Sequence, residues 1–267
     1  MRRFHIENET LIAQFDRVDD RAEEVRSLME CVSNDELVNL WTQLDISAIY
    51  HDCALEGEVI SPEELNSALD PRAVTDATNL SLYAAIKKHK QAFEKCREYA
   101  RKPALAFSQE LFRAFNLIFS PLDIDHSREG FRTEIPLHRT YFHDINQAED
   151  IRGNMREFIV WANEELEKSP HPFSFAARMH HRFMHIFPYP DTSGKVGRAI
   201  MNIFLMRNGF LPAVVHATER QRYYEAIRNS HQDLATLLVD SEMASLESAI
   251  RYLRRVIVRN PDAARHQ

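Results

Sequence analysis

The chain has 267 residues, 44% of them hydrophobic, and a formal net charge of −7. This length and apolar content suffice for a substantial core in one large domain, and the negative charge argues against a general nucleic-acid binder. The three cysteines, Cys31, Cys53 and Cys96, are too few for a disulfide framework and lack metal-ligand spacing, which favours a reducing, cytoplasmic compartment. No apolar run is long enough to span a membrane and no signal-peptide pattern follows Met1, so we expect no membrane association.

The apolar periodicity is mostly helical and the chain has only 6 glycines, so we predict an all-α fold. A charged amphipathic helix is expected over 8–30. A capping-box-like start at Ser33 then begins a helix that ends near Gly57. Ser61, which precedes a proline, begins a short third helix. One long helix or two should fill 73–101.

The second half of the chain begins with a further apolar stripe at 107–118, and the helical pattern then lapses from 121 to about 145. In that interval Thr133–Leu137 and Thr140–His143 are expected to pair as a small β-hairpin. Helical periodicity returns afterwards, and the polar tail at 261–267 is expected to fray. The helices predicted in this half cover 147–167, 174–186, 195–207, 218–235 and 238–258.

The most informative segment lies between two predicted helices, at 187–198. It opens a helix with a glycine, two hydroxyls and two cations, and the free N–H groups and dipole of a helix N-terminus favour an anion there. Asp191 adds a carboxylate suited to a divalent metal that bridges phosphate oxygens. The candidate anion-binding residues are Thr192, Ser193, Gly194, Lys195 and Arg198.

This segment resembles the signature of the Fic (Fido) family, His-Pro-Phe-x-Asp-Gly-Asn-Gly-Arg-x-x-Arg. The identical positions are Pro188, Asp191, Gly194 and Arg198. Tyr189 stands for the family phenylalanine, Lys195 for its first arginine, and Thr192-Ser193 for its Gly-Asn pair. Phe187 occupies the position of the catalytic histidine, and this departure bears most directly on the chemistry.

The resemblance extends over about 45–260. Residues 176–183, 199–205 and 222–227 are similar to the helices that flank the signature, and 131–135 fits the family's hairpin flap. It implies a Fic-type helical bundle at 33–260, after an N-terminal extension at 1–32. The flap at about 131–143, with Ile135 and Phe142, would contact a target protein by strand addition.

A second segment, 49–57, resembles the inhibitory segment that some Fic proteins carry, with the pattern Ser/Thr-x-x-x-Glu-Gly/Asn. Glu56 and Gly57 match this pattern, and Asp52 replaces the Ser/Thr. The resemblance implies an inhibitory-type helix at about 33–57 and a Glu56–Arg198 ion pair that blocks the γ-phosphate seat. The alternative is that Glu56-Gly57 is only a helix end.

In the family, the histidine acts as base on a target hydroxyl, which attacks the α-phosphate of a nucleotide. The resemblance implies that the protein binds ATP and Mg²⁺. The metal would lie on Asp191, and the nucleotide base would lie near Asn202, Tyr223 and Tyr224. Each has a plainer alternative: a helix cap for Asp191, a bond to buried backbone for Asn202, and core packing for the tyrosines.

A phenylalanine ring accepts no proton, so Phe187 predicts loss of the usual reaction. His185, roughly 200° away around the helix, is expected to be a surface or capping residue. A zinc pair of His181 with His185 is disfavoured by the cation at Arg182.

Two functions follow from the sequence. The first is a degenerate Fic-like protein that binds a nucleotide, has impaired or altered transfer activity, and acts as a pseudoenzyme or as a regulatory or interaction module. The alternative is an active transferase that moves AMP, or another phosphate-bearing group, from ATP to a protein Ser, Thr or Tyr hydroxyl with Mg²⁺. The family also leads us to expect a homodimer.

Overall fold

The computed structural model describes residues 2–70, 72, 80–120, 130–136 and 143–259. Throughout these residues the regular structure is helical, and no strand is present. The all-α prediction is therefore confirmed. The helices, in chain order, are α1 (Arg2–Met29), α2 (Asn34–Leu55), α3 (Pro62–Leu69), α4 (Leu80–Ala100), α5 (Gln109–Phe119), α6 (Ile151–Glu165), α7 (Pro172–Ile186), α8 (Ser193–Arg207), α9 (Arg220–Asn229) and α10 (His231–Arg259).

Several predicted helix starts are confirmed by the caps that form there. The Ser33 hydroxyl accepts the Glu36 N–H at the start of α2, and Ser61 and Glu64 form a reciprocal capping box at α3. The helix predicted at 218–235 is wrong in its extent. It is divided at Ser230, where the backbone is extended and the hydroxyl caps α10 through the Asp233 N–H.

The predicted β-hairpin is not seen: residues 130–136 form no strand, and 137–142 lie outside the described residues. The backbone N–H of Arg132 instead donates to the Pro188 carbonyl at 2.8 Å. Its buried guanidinium donates to the carbonyls of Phe187 at 2.7 Å and Ile186 at 3.3 Å. These bonds hold the segment against the loop after α7, so its polar groups are satisfied there rather than by a second strand.

Helix α8 is the central element of the fold, since every residue from Ser193 to Leu205 is buried. It packs against α4, α5 and α7, and α10 packs against α1 and α7 on the outside of this group. Gly197 allows the close approach of α7, because a Cβ atom there would lie 2.9 Å from the His180 ring. A helix buried on all sides carries Lys195 and Arg198 into the interior, where charged groups need partners.

Helix α1 is continuous with this core, to which it contributes Val18, Ala22 and Val25. The domain division predicted near residue 32 stays a prediction. Within the described ranges, no helix has both the length and the apolar character needed to cross a bilayer.

Candidate functional site

Phe187, which the resemblance aligns with the family's catalytic histidine, has a buried side chain. Phe187 ends α7 in the left-handed conformation, with φ 46° and ψ 63°, and is fully buried. Its N–H donates to the Phe183 carbonyl at 2.9 Å and closes the last turn of the helix. A left-handed conformation at a non-glycine residue costs about 1 kcal/mol or more, so the surrounding packing must hold it.

The imidazole that lies beside Phe187 belongs to His143, whose ring meets the phenylalanine ring edge-on at 6.3 Å between centroids. His143 is buried, and its Nε2 atom lies 2.9 Å from the Met184 carbonyl oxygen. That nitrogen therefore carries the hydrogen and donates it. His143 thus bonds to the backbone of α7, whereas the sequence placed it only at the end of the predicted hairpin.

His185 has the non-catalytic position that the helix geometry predicted. Its Nδ1 lies 2.9 Å from the Asp144 carbonyl and its Nε2 lies 3.2 Å from the Ile227 carbonyl. Both ring nitrogens thus face carbonyl oxygens rather than the loop that follows Phe187.

The loop between α7 and α8 uses its two hydroxyls internally. Thr192 has φ −117°, so the threonine avoids the positive φ that a glycine could adopt, and its hydroxyl donates to Asn116 Oδ1 at 2.5 Å. The Ser193 hydroxyl accepts the Tyr189 N–H at 2.8 Å and donates to the Tyr189 carbonyl at 2.7 Å. The predicted anion contact through these hydroxyls therefore finds both of them bonded to protein groups, while Asp191 stays exposed.

Arg198 lies in the interior with three partners. Its Nε donates to Asp52 Oδ1 in a short ion pair, its Nη2 donates to Glu56 Oε1 at 2.7 Å, and its Nη1 donates to the Tyr223 hydroxyl at 3.3 Å. The predicted Glu56–Arg198 ion pair is therefore confirmed. Asp52, the residue that departs from the inhibitory pattern, supplies a second carboxylate.

The second cation is also paired, since Lys195 Nζ donates to Glu58 Oε1 at 2.5 Å. Glu56 meanwhile lies directly against the first turn of α8: a Cβ atom on Gly194 would be 2.1 Å from Glu56 Oε1. A protein carboxylate thus occupies the N-terminal end of the helix, where the dipole favours an anion. We call Lys195 and Arg198 the α8 cation pair.

The pKa shifts follow from these contacts. Burial alone would raise the pKa of Asp52, but Arg198 and His89 outweigh it and hold that pKa well below its usual range. Burial alone would lower the pKa of Arg198, but Asp52, Tyr223 and Glu56 raise it. Burial, with Arg198 nearby, lowers the pKa of His180 to about 3. The site therefore holds the ionised carboxylate of Asp52 against a permanent cation, beside the neutral imidazole of His180.

The three residues expected near a nucleotide base have structural partners. Asn202 Oδ1 accepts the Ala213 N–H at 2.9 Å, which is the plainer alternative considered for it. The Tyr223 hydroxyl lies 2.7 Å from His180 Nε2, and the Tyr224 hydroxyl donates to the Leu55 carbonyl at 3.2 Å. Both tyrosines are buried, and they support Arg198 and the end of α2 respectively.

One small cavity lies beside the cation pair. A cavity of about 20 Å³ lies between α2, α4 and α8, bordered by Asp52, Phe93, Arg198 and Asn202. This is room for about one water molecule. Three carboxylates, those of Asp52, Glu56 and Glu58, face two cations, so the residues as arranged do not fit a triphosphate.

Sequence reasoning missed part of this network. Asp52 lies one turn before Glu56, and that i,i+4 spacing could have placed both carboxylates on one face of α2. His89, which lies 3.3 Å from Asp52 Oδ2, and the carbonyl-binding Arg132 gave no local signal.

Residues 79–205 match the model of the Fic/DOC family. This part of the chain is thus similar to the Fic/DOC family. Its relatives include "Protein adenylyltransferase Fic" of Drosophila grimshawi, 24% identical over 184 residues, which are 69% of this chain and 38% of that protein. The protein of the same name from Aedes aegypti is 23% identical over 220 residues, 82% of this chain and 43% of the relative. The chain thus spans less than half the length of these relatives.

Solved structures establish that the fold is that of Fic proteins. A Fic domain containing signaling protein from Bacteroides thetaiotaomicron has a TM-score of 0.77 at 17% identity, covering 90% of this chain and 97% of that one. Fic-1 from C. elegans has a TM-score of 0.78 at 18% identity, covering 96% of this chain and 76% of the other. This chain therefore shares the fold of these Fic proteins at low sequence identity.

Proposed function

We propose that this protein is a Fic-domain protein with a closed nucleotide site, and that it acts as a regulatory or interaction module rather than as a histidine-dependent transferase. The observation that carries the proposal is Phe187. Its ring has no lone pair for a proton, and it is buried in the core rather than open to a substrate. A general base contributes about 10² to 10⁴ in rate, and that contribution is lost here.

The charges around α8 support the same proposal. Arg198 is neutralised by Asp52 and Glu56, and Lys195 is neutralised by Glu58. Glu56 also lies where an anion would meet the first turn of α8. In this proposal Glu56 has the inhibitory role that the resemblance implied, and a nucleotide binds only after the carboxylates have moved.

A second candidate function is favoured by one observation. Asp191 is exposed at the loop before α8, where it could hold a Mg²⁺ ion as the resemblance implied. The related proteins are named protein adenylyltransferases. An active transferase that moves AMP to a protein hydroxyl remains the alternative, with a base other than residue 187.

Autolabelling with α-labelled ATP and Mg²⁺ separates the two functions. The variants are the parent chain, Phe187→His, Glu56→Gly and the double variant, each with its thermal unfolding midpoint recorded. We expect no labelling of the parent or of Glu56→Gly. Labelling requires a restored histidine, and Asp52→Asn is added to the double variant because Asp52 also holds Arg198. An added Asp191→Asn substitution in the double variant should abolish the label if that carboxylate holds the metal.

The proposal fails if the parent chain is labelled as strongly as the double variant that carries a histidine at residue 187. Labelling of Glu56→Gly alone would also overturn it, because the site would then react without residue 187. The alternative function fails if the folded parent shows no label with any acceptor protein that the double variant modifies.

The proposal includes partners and location. A target or regulatory protein would contact the segment at 131–143, a second copy of the chain could form a homodimer, and the compartment would be the cytoplasm. Free thiols at Cys31, Cys53 and Cys96 suit a reducing compartment. Size-exclusion chromatography with light scattering would test the homodimer.

A further inference from the structure

Asp52 has a position in the network that the inhibitory pattern does not explain. The pattern has a serine or threonine there, whereas this chain has a carboxylate that pairs with Arg198 Nε through Oδ1. Its other oxygen lies 3.3 Å from His89 Nε2. The side chains of Asp52 and Arg198 are only 10% and 5% exposed, so the pair is shielded from water.

Asp52 and Glu56 hold different nitrogens of the same guanidinium. Asp52 pairs with Nε, and Glu56 pairs with Nη2 at 2.7 Å. Departure of Glu56 would therefore leave Nε paired with Asp52 and Nη1 next to the Tyr223 hydroxyl. The bidentate face that Arg198 needs for a phosphate would still be incomplete.

The two carboxylates also differ in how easily they can leave. Glu56 is the last residue of the α2 end, and Gly57 follows with φ +88°, so rotation at the helix terminus can move it. Asp52 lies one turn inside α2, between the buried residues Ile49 and Cys53. Moving Asp52 away from Arg198 requires moving the helix itself.

We propose that Asp52 is a specificity-determining residue that excludes triphosphate groups from the α8 cation pair even when Glu56 has moved away. With Glu56 gone, Asp52 and Glu58 still balance Lys195 and Arg198. A magnesium-bound triphosphate remains negative and would meet no net positive charge. Removing both Asp52 and Glu56 leaves one carboxylate against two cations. This inference rests on the proposed closed site and names the residue that keeps it closed.

The test is calorimetric binding of Mg·ATP and of magnesium tripolyphosphate to the full chain. The variants are the parent, Glu56→Gln, Asp52→Asn and the double variant. The matched control is Asp45→Asn, which removes a buried carboxylate from an ion pair on the same helix, with Arg97 at 2.5 Å, and leaves α8 untouched.

We expect the double variant to bind both ligands at least about tenfold more tightly than Glu56→Gln, and Asp45→Asn to bind like the parent. Equal affinity of Glu56→Gln and the double variant would overturn the proposal. So would a folded double variant that binds no better than the parent, because the carboxylates would then not be what excludes the ligand.

A second measurement uses only the single variants, so it tests the proposal even if the double variant does not fold. In ¹⁵N-labelled protein, the Arg198 Nε–H signal, assigned with Arg198→Lys, should stay protected from hydrogen exchange in Glu56→Gln and lose protection in Asp52→Asn. The Arg132 Nε–H, bonded to the Phe187 carbonyl at 2.7 Å, is the internal reference. Loss of Arg198 protection in Glu56→Gln would overturn the proposal. If the parent chain is labelled in the autolabelling assay with α-labelled ATP, the proposed function is refuted. The calorimetric comparison of the Asp52 and Glu56 variants is unaffected by that outcome.

Discussion

Helix α2 makes two buried ion pairs two turns apart, and they behave differently. Asp45 binds Arg97 of α4 through both oxygens, at 2.5 and 2.8 Å. Asp52 binds Arg198 of α8, with His89 at its second oxygen. Burial raises the pKa of Asp45 although Arg97 opposes it, whereas Arg198 and His89 overcome burial and lower the pKa of Asp52.

The difference teaches that the partners of a buried carboxylate decide the direction in which its pKa shifts. Asp45 has one cation, which also lies over the Trp41 ring at 5.3 Å, so its pair mainly joins two helices. Asp52 has a guanidinium and an imidazole, and its guanidinium has further partners in Glu56 and Tyr223. The second pair therefore sets the charge of the candidate site as well as joining helices.

The largest expected effect is on stability. Asp52→Asn should lower the free energy of unfolding by about 3–5 kcal/mol, because it leaves a buried guanidinium with less compensation. Asp45→Asn should cost roughly 1 kcal/mol, since burial already favours the neutral form there. Urea unfolding at neutral pH measures both. Equal losses in the free energy of unfolding would mean that the two ion pairs stabilise the fold to the same extent.

A smaller effect tests Glu56, which is the second carboxylate bound to Arg198. Gly194→Ala places a Cβ atom 2.1 Å from Glu56 Oε1 and 3.0 Å from Arg198 Nη1, so we expect a loss of about 1–3 kcal/mol despite the better helix propensity of alanine. Gly153→Ala in α6 is the control: nothing lies within 4 Å, so it should gain about 0.5–1 kcal/mol. A stabilising Gly194→Ala would show that Glu56 is not held against α8.

The next effect is the pH dependence contributed by His180, which supports Tyr223 in the Arg198 network. Its folded pKa is lowered to about 3. The unfolded chain, with a histidine pKa near 6.5, therefore binds the proton first, and stability falls as pH drops from about 6.5 toward 3. The slope is up to about 1.4 kcal/mol per pH unit. Urea midpoints from pH 7 to 5 should fall less steeply in His180→Gln than in the parent; equal slopes would contradict the assignment.

The smallest effect is a pH dependence of stability that has opposite signs for Asp52 and Asp45. The folded pKa of Asp52 is depressed, so its stabilisation is present above the unfolded pKa of about 3.9 and is lost as pH falls through the folded pKa. The folded pKa of Asp45 is raised, so its contribution is present at low pH and is lost as pH rises through that value. The cost of Asp52→Asn should therefore shrink on acidification, and that of Asp45→Asn should grow. Calorimetric unfolding at a series of pH values measures both costs. If the two costs change in the same direction, the two aspartates do not differ in this way.

Much of the fold was readable from local patterns. The caps at Ser33 and Ser61 began the helices as predicted, because an N-cap hydroxyl acts within its own first turn. The N-cap at Ser230 is an equally local signal. The apolar periodicity continues on both sides of Ser230, so the sequence did not reveal that one helix ends and another begins there. The β-hairpin prediction failed because the residues at 130–136 find their hydrogen-bond partners in a distant loop through Arg132.

The sequence by itself determined the helical class and the absence of a proton acceptor at residue 187, since each follows from residue type and periodicity. The pairing of Glu56 with Arg198 was implied by the family resemblance, and the structure decided it against a plain helix end. Only the tertiary structure decided that Asp52 shares Arg198, that Glu58 neutralises Lys195, and that the loop hydroxyls turn inward. The reason is that α8 is buried on all sides, so each polar group on it takes a partner from whichever helix packs there, and that choice is not written in local spacing.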